Sequence, residues 1–125
     1  MSVNLAVVRG RCSSPAEVRV LPSGQVVATL QVTTRAEAEA AARSVPVAVW
    51  NPPAWVESLD EGAEVVVVGH VRRRFWRSGA ATASRVEVEA AAIARGTDKR
   101  RVRALTRRAA DALAALEDGA AQPAS

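Results

Sequence analysis

Residues 65–77, Val-Val-Val-Val-Gly-His-Val-Arg-Arg-Arg-Phe-Trp-Arg, read as the body of one long strand. Side chains alternate faces along a strand, so residues of one parity point the same way. Val65, Val67, Gly69, Val71, Arg73 and Phe75 then share one face. Val66, Val68, His70, Arg72, Arg74 and Trp76 share the other. The second face sets two guanidinium groups and an indole in a row on a sheet. That row suits a flexible polyanion carrying flat rings, the chemistry of single-stranded nucleic acid.

The rest of the chain places this strand in an all-β order. Residues 3–12 form a valine-rich strand, interrupted by Ser13-Ser14-Pro15 and resumed over 17–21. Pro22-Ser23-Gly24 is a turn, with proline presetting φ and glycine supplying a positive φ. Residues 25–34 alternate, with Val26, Ala28, Leu30 and Val32 on one side, so 17–21 and 25–34 read as a hairpin. Residues 35–43, rich in Ala and Glu, lie between two strands and read as a mobile loop. Alternation returns over 44–50, where Val45, Val47 and Val49 are core-facing and Trp50 opposes them. Asn51-Pro52-Pro53 ends that strand and opens a short helix over 54–59, since proline is tolerated in a first helical turn. The long strand 64–77, a Ser78-Gly79 turn and a last strand over 82–93 complete the order. Five strands with a helix between the third and fourth is the order of an OB-fold, a Greek-key barrel used for oligonucleotides and oligosaccharides.

After Gly96 the period changes. Val102, Leu105, Ala109, Ala112, Leu113 and Leu116 recur at helical spacing, with Asp98 as N-cap and Gly119 as C-cap. Lys99, Arg100, Arg101, Arg103, Arg107 and Arg108 crowd the first half, while Glu117 and Asp118 lie at the end. This order opposes the helix dipole, so the helix needs the barrel, a second subunit or a polyanion to hold it. Two regions follow: a barrel over 1–96, and a basic amphipathic helix with a short tail over 97–125.

Composition excludes several classes. A chain of 125 residues supports one domain with a real core. A net charge of +4, carried almost wholly by arginine, leaves groups that fork to phosphate or stack on bases. One cysteine, Cys12, permits no intrachain disulfide and no zinc-ligand spacing. Apolar runs fall short of a membrane span, and the amino terminus lacks a leader pattern, so a cytoplasmic protein is expected. No carboxylate pair, nucleophile elbow or phosphate loop is visible, and Glu87 and Glu89, with Arg85 beside them, read as a solvated edge. An enzyme is therefore not expected, nor any metal or cofactor.

These residues resemble the bacterial single-stranded DNA-binding protein family. The carriers are Val3-Asn4-Leu5-Ala6-Val7-Val8-Arg9-Gly10-Arg11, Glu17-Val18-Arg19 with Pro22-Ser23-Gly24, Val47-Ala48-Val49-Trp50, Glu61-Gly62, and Val71-Arg72-Arg73-Arg74-Phe75-Trp76. The resemblance spans roughly residues 3–94 and rests on the order and spacing of loose motifs. It implies an OB-fold that assembles, usually as a homotetramer or dimer of dimers, and holds single-stranded DNA without sequence preference. Trp76 matches the family's aromatic at the end of the fourth strand, and Trp50 one at the end of the third. Arg72 and Arg74 match basic positions. Arg77, Arg35, Arg9 and Arg11 complete the expected nucleic-acid-binding set.

Two departures qualify what the resemblance implies. The family's further aromatics around the loop after strand two have no counterpart between Arg35 and Ser44. The chain also ends in Ala120-Ala121-Gln122-Pro123-Ala124-Ser125 rather than an acidic-hydrophobic tip, so docking of repair proteins by that route is not expected. A short, nucleoid-associated paralogue serving DNA replication, repair or recombination fits this pattern. The other reading is an OB-fold interaction module that assembles with a paralogue or partner and binds single strands weakly or not at all. The basic helix suits a second DNA contact or an oligomer clamp, and RNA remains a sub-case of the first reading.

Overall fold

A computed structural model describes residues 2–35 and 41–121. Its elements are β1 (Ala6–Cys12), β2 (Glu17–Val20), β3 (Val26–Thr34), β4 (Arg43–Trp50), α1 (Ala54–Glu57), β5 (Glu64–Ser78), β6 (Ala81–Arg95) and α2 (Lys99–Ala121). The sheet runs β1-β5-β6-β4-β3-β2, and an added β1–β3 pairing closes it on itself. Arg11 lies opposite Thr33 and Cys12 opposite Val32 at that closure. β4 and β6 run parallel, and the other pairs run antiparallel. This is the expected OB-fold barrel. The Ser13-Ser14-Pro15 interruption divides the expected first strand into β1 and β2, and β2 forms a flap on β3.

The alternating residues do what their pattern implies. Ala28, Leu30 and Val32 of β3, Val47 and Val49 of β4 and Val65 and Val67 of β5 share one core with Val8, Cys12, Val88 and Ile93. Val56 of α1 and Leu59 just beyond it join the same core. Each buried Val, Leu or Ile of this set contributes about 1.5–3 kcal/mol by leaving water.

Gly10 lets β1 change partners. It lies opposite Val65 of β5, while the next residue already pairs with β3. A Cβ there would collide with the Thr33 carbonyl oxygen and the Val32 side chain. A glycine at such a barrel corner admits the close approach of another backbone.

The four successive valines of β5 are explained by burial on both faces. Val66 and Val68 form a second cluster with Ala94 of β6 and Leu105 and Ala109 of α2, flanked by Leu5, Ala92 and Val102. So α2 packs its first half on the outside of the barrel, the first of the three supports expected for it. Asp98 caps it, its Oδ1 accepting the Arg101 backbone N–H at 3.1 Å. The helix runs to Ala121, past the expected stop at Gly119. Leu113 is exposed beyond the barrel's edge.

A β-bulge shapes the far half of the sheet. Val68 faces Ala92 but Gly69 faces Ala90, which leaves Ala91 as the extra residue. The bulge reverses which parity of β6 points inward: Val88 and Ala90 before it, Ile93 after it. Beyond Val71 and its partner Val88, β5 and β6 leave the barrel as a two-stranded arm that turns at Gly79, whose φ is +63°.

Cys12 sits in the core with 1% of its surface exposed, and burial pushes its thiol pKa up. A thiol-reactive dye is therefore expected to label it at a rate set by unfolding at pH 8, and at once in denaturant. Rapid labelling of the native protein would place the thiol at the surface. The expected loop over 35–43 falls mostly on residues 36–40, outside those described, and β4 begins at Arg43 rather than Ser44.

Candidate nucleic-acid interface

Directly opposed residues in a sheet share a face, so the register alone assembles the outer surface. Arg72 pairs with Glu87, Arg74 with Arg85 and Trp76 with Ala83. Thr29 and Gln31 of β3 point outward between the core residues Ala28, Leu30 and Val32. Glu17 of β2 lies opposite Thr29, and Arg19 opposite Val27. These residues enclose an open groove of about 490 Å³. Its floor is Thr29 and Gln31, one wall is Glu17 and Arg19, and the other is the arm with Arg74, Trp76, Arg77 and Arg85.

The charge in this groove is uncompensated where it is densest. Arg74 and Arg85 stand directly opposite one another, an arrangement of like charges that costs stability unless an anion lies between them. Trp76 is 44% exposed, enough to offer an aromatic face to a flat ring. Farther in, the balance reverses. Arg72 Nη1 donates to Glu89 Oε2 at 2.8 Å, a hydrogen bond that raises the Arg72 pKa, and His70 Nε2 lies 3.6 Å from the same oxygen. Glu89 thus competes with any phosphate for Arg72, although Nη2 and Nε carry no hydrogen bond among the described residues.

The solvated-edge reading of Glu87 and Glu89 is corrected here. Glu87 is 3% exposed and its Oε2 has no hydrogen-bond partner among the described residues; it lies next to the short stretch where β6 pairs with β4. A buried acceptor left open costs about 1–3 kcal/mol, and the Arg72 guanidinium opposite supplies a compensating charge.

The expected site residues divide into groups. Arg74, Trp76 and Arg77 meet in the groove, and Arg72 adjoins it, held by Glu89. Trp50 is half-buried and lines a separate cavity with Trp55. Arg9 and Arg11 lie at the other end of β5: Arg9 Nη2 meets Glu64 Oε1 at 2.7 Å, and Arg11 Nη1 donates to the Gly62 carbonyl at 3.0 Å. Arg35 is exposed just past β3. Trp55 packs as expected of a helix residue, with the Arg95 guanidinium 5.1 Å from its ring centre. Phe75 points away from Trp76, 64% exposed beside Val71 and Val86.

Arg19 and Arg85 are the basic groove residues missing from the expected set, along with the uncharged Thr29 and Gln31 and the acidic Glu17. Arg85 was legible, since counting back from the Ser78-Gly79 turn pairs it with Arg74. Arg19 was not, because its place depends on how β2 folds over β3. Among the described residues no group of three or more His, Cys, Asp or Glu is placed to hold a metal, and no helix is long and apolar enough to cross a membrane.

No protein-family model matches the sequence, and no curated protein matches it. Among solved structures, the wild-type single-stranded DNA binding protein from Thermus aquaticus matches with a TM-score of 0.62 at 21% identity. The match covers 76% of this chain but 41% of that one, so the chain spans less than half of its length. This likeness agrees with the closed barrel and the β1-β5-β6-β4-β3 order in assigning the OB-fold.

Proposed function

We propose that the protein binds single-stranded DNA without sequence preference through the groove between β2 and the β5–β6 arm. The observation that carries this reading is the opposed pair Arg74 and Arg85 beside the exposed Trp76, with Arg19 on the facing wall. The arginines supply phosphate contacts and Trp76 a stacking face, both indifferent to base identity. The structural likeness to a single-stranded DNA binding protein supports the same assignment. The role is non-enzymatic, and DNA replication, repair or recombination in the cytoplasm is its proposed setting.

Energetics favour an assembly. Stacking contributes about 1–3 kcal/mol per base, so one or two tryptophans per chain cannot hold a strand tightly. Several barrels on one strand make up the difference through effective concentration. A homotetramer or dimer of dimers is the proposed form, and the exposed Val71, Phe75 and Val86, grouped around Arg73 on the arm's other face, offer a partly apolar surface for it. The same patch is the observation favouring the second reading, an interaction module that meets protein rather than DNA.

One titration separates them. Binding to oligo-dT should weaken with added salt, at a log–log slope of about −0.7 for each phosphate held. If Arg19, Arg74, Arg77 and Arg85 each hold one, the slope is about −3. Sizing of the complex reports subunit number in the same samples. A protein that leaves oligo-dT unbound at low salt yet elutes as an assembly supports the interaction module instead.

A further inference from the structure

We propose that the cavity beside Trp50 takes one nucleotide of the bound single strand, so that α2 becomes part of the nucleic-acid site. This rests on the single-strand reading above. The cavity is about 330 Å³ and lies where the end of β4, the start of α1 and the first turn of α2 meet. Trp50, Trp55, Ala90, Ala91, Ala92 and Arg101 form the parts of its lining that matter here.

The lining matches a base in kind. The parallel ladder between β4 and β6 ends at Ala48 and Glu89, so β6 continues past Ala90 with no strand on that side. The bulge at Ala91 lies in this opened seam. Main-chain donors and acceptors with no ladder partner thus face an apolar, tryptophan-lined space. A nucleobase has the complementary form, an apolar face for stacking and an edge of donors and acceptors. The three alanines leave the space open. Arg95 already occupies one side of Trp55, which leaves Trp50 as the stacking wall.

Arg101 supplies the charge. Its Nε donates to the Ile93 carbonyl at 3.1 Å, and that bond fixes the guanidinium at the cavity. Its terminal nitrogens have no hydrogen bond or ion pair among the described residues. They are therefore placed to hold the phosphate that flanks an inserted base.

The cavity and the groove lie on neighbouring strands of one sheet, at the two ends of a single cross-strand row. Arg19, on the groove wall, lies opposite Val27, and Val27 lies opposite Trp50. Three adjacent strands at about 4.8 Å spacing put Trp50 roughly 10 Å from Arg19 along that row. A strand leaving the groove past Arg19 would reach Trp50 by crossing over the buried Val27, within one face of the sheet.

The test compares the intact protein with Arg101→Ala and Ala91→Phe on oligo-dT from about 4 to about 16 nucleotides, the span of site sizes for one OB-fold. Thermal melts run alongside. Ala91→Phe fills the cavity and leaves Arg101 and α2 in place, so it decides the matter if Arg101→Ala loosens the helix. Both variants are expected to match the intact protein on the shortest strands and to bind longer ones about tenfold more weakly. Affinities within twofold at every length would overturn the cavity's role. If Trp76→Ala weakens binding while these two variants do not, the groove stands and the cavity falls. If the intact protein binds no oligonucleotide, both fall together.

Discussion

Trp76→Ala is expected to lower affinity for oligo-dT by about 10- to 100-fold, the loss of roughly one stacked base and the ordering that goes with it. The ring is 44% exposed and belongs to neither buried cluster, so its removal leaves the core untouched and the melting temperature nearly unchanged. Trp76→Phe keeps a flat ring and should recover most of the binding. The effect is amplified in an assembly, because every subunit loses its platform at once. Fluorescence titration at low salt gives the measurement. Affinity within twofold of the intact protein would remove Trp76 from the site and shift weight to the interaction-module reading.

Gly10→Val should produce a large loss of stability. The new side chain meets the Thr33 carbonyl oxygen, which belongs to a paired strand and cannot swing aside. β1 must then draw away from β3 at the point where the barrel closes, opening Cys12 and Val32 to water. Overpacking costs about 1–3 kcal/mol, and this collision lies at the upper end because backbone must move. That is a fall in melting temperature of roughly 10 °C for a chain of this length. Gly79→Ala is the matched control: the turn glycine has open space around it, so only its φ of +63° is strained. A Gly10→Val protein that melts with the parent would mean that closure at β1–β3 contributes little.

How much of this could be read in the chain differs from residue to residue. The inward set Ala28, Leu30, Val32, Val47, Val49, Val65 and Val67 followed from alternation alone, because parity is a property of neighbours along one strand. So did the opposite placement of Phe75 and Trp76. The bulge at Ala91 left no mark, since Ala90, Ala91 and Ala92 are identical and no change of size or polarity signals a shift of register. Glu87 misled for a related reason. A carboxylate beside an arginine reads as surface until the strand packed against it is known.

The candidate site divides along the same line. Arg74, Trp76 and Arg77 were found together because they lie on one strand. Arg9 and Arg11 looked equally basic, yet Glu64 and the Gly62 carbonyl engage them at the far end of the sheet. Trp50 was expected as a second stacking aromatic, at the end of the third strand. It fronts a cavity separate from the groove, and Arg101, distant along the chain, borders it.

The sequence by itself determined the two-faced strands, the turns at Gly24 and Gly79, the change of period at α2, and the row of arginine and tryptophan on the long strand. Each of these depends on residues within a few positions of one another, where the geometry of the peptide chain sets the outcome. Only the tertiary structure decided that Arg85 and Arg19 share the groove with Trp76, that α2 covers Val66 and Val68, and that Trp50 opens toward Arg101. Those placements depend on which strands pair and in what register. The packing of distant side chains into one closed core sets both, and no local pattern carries that information.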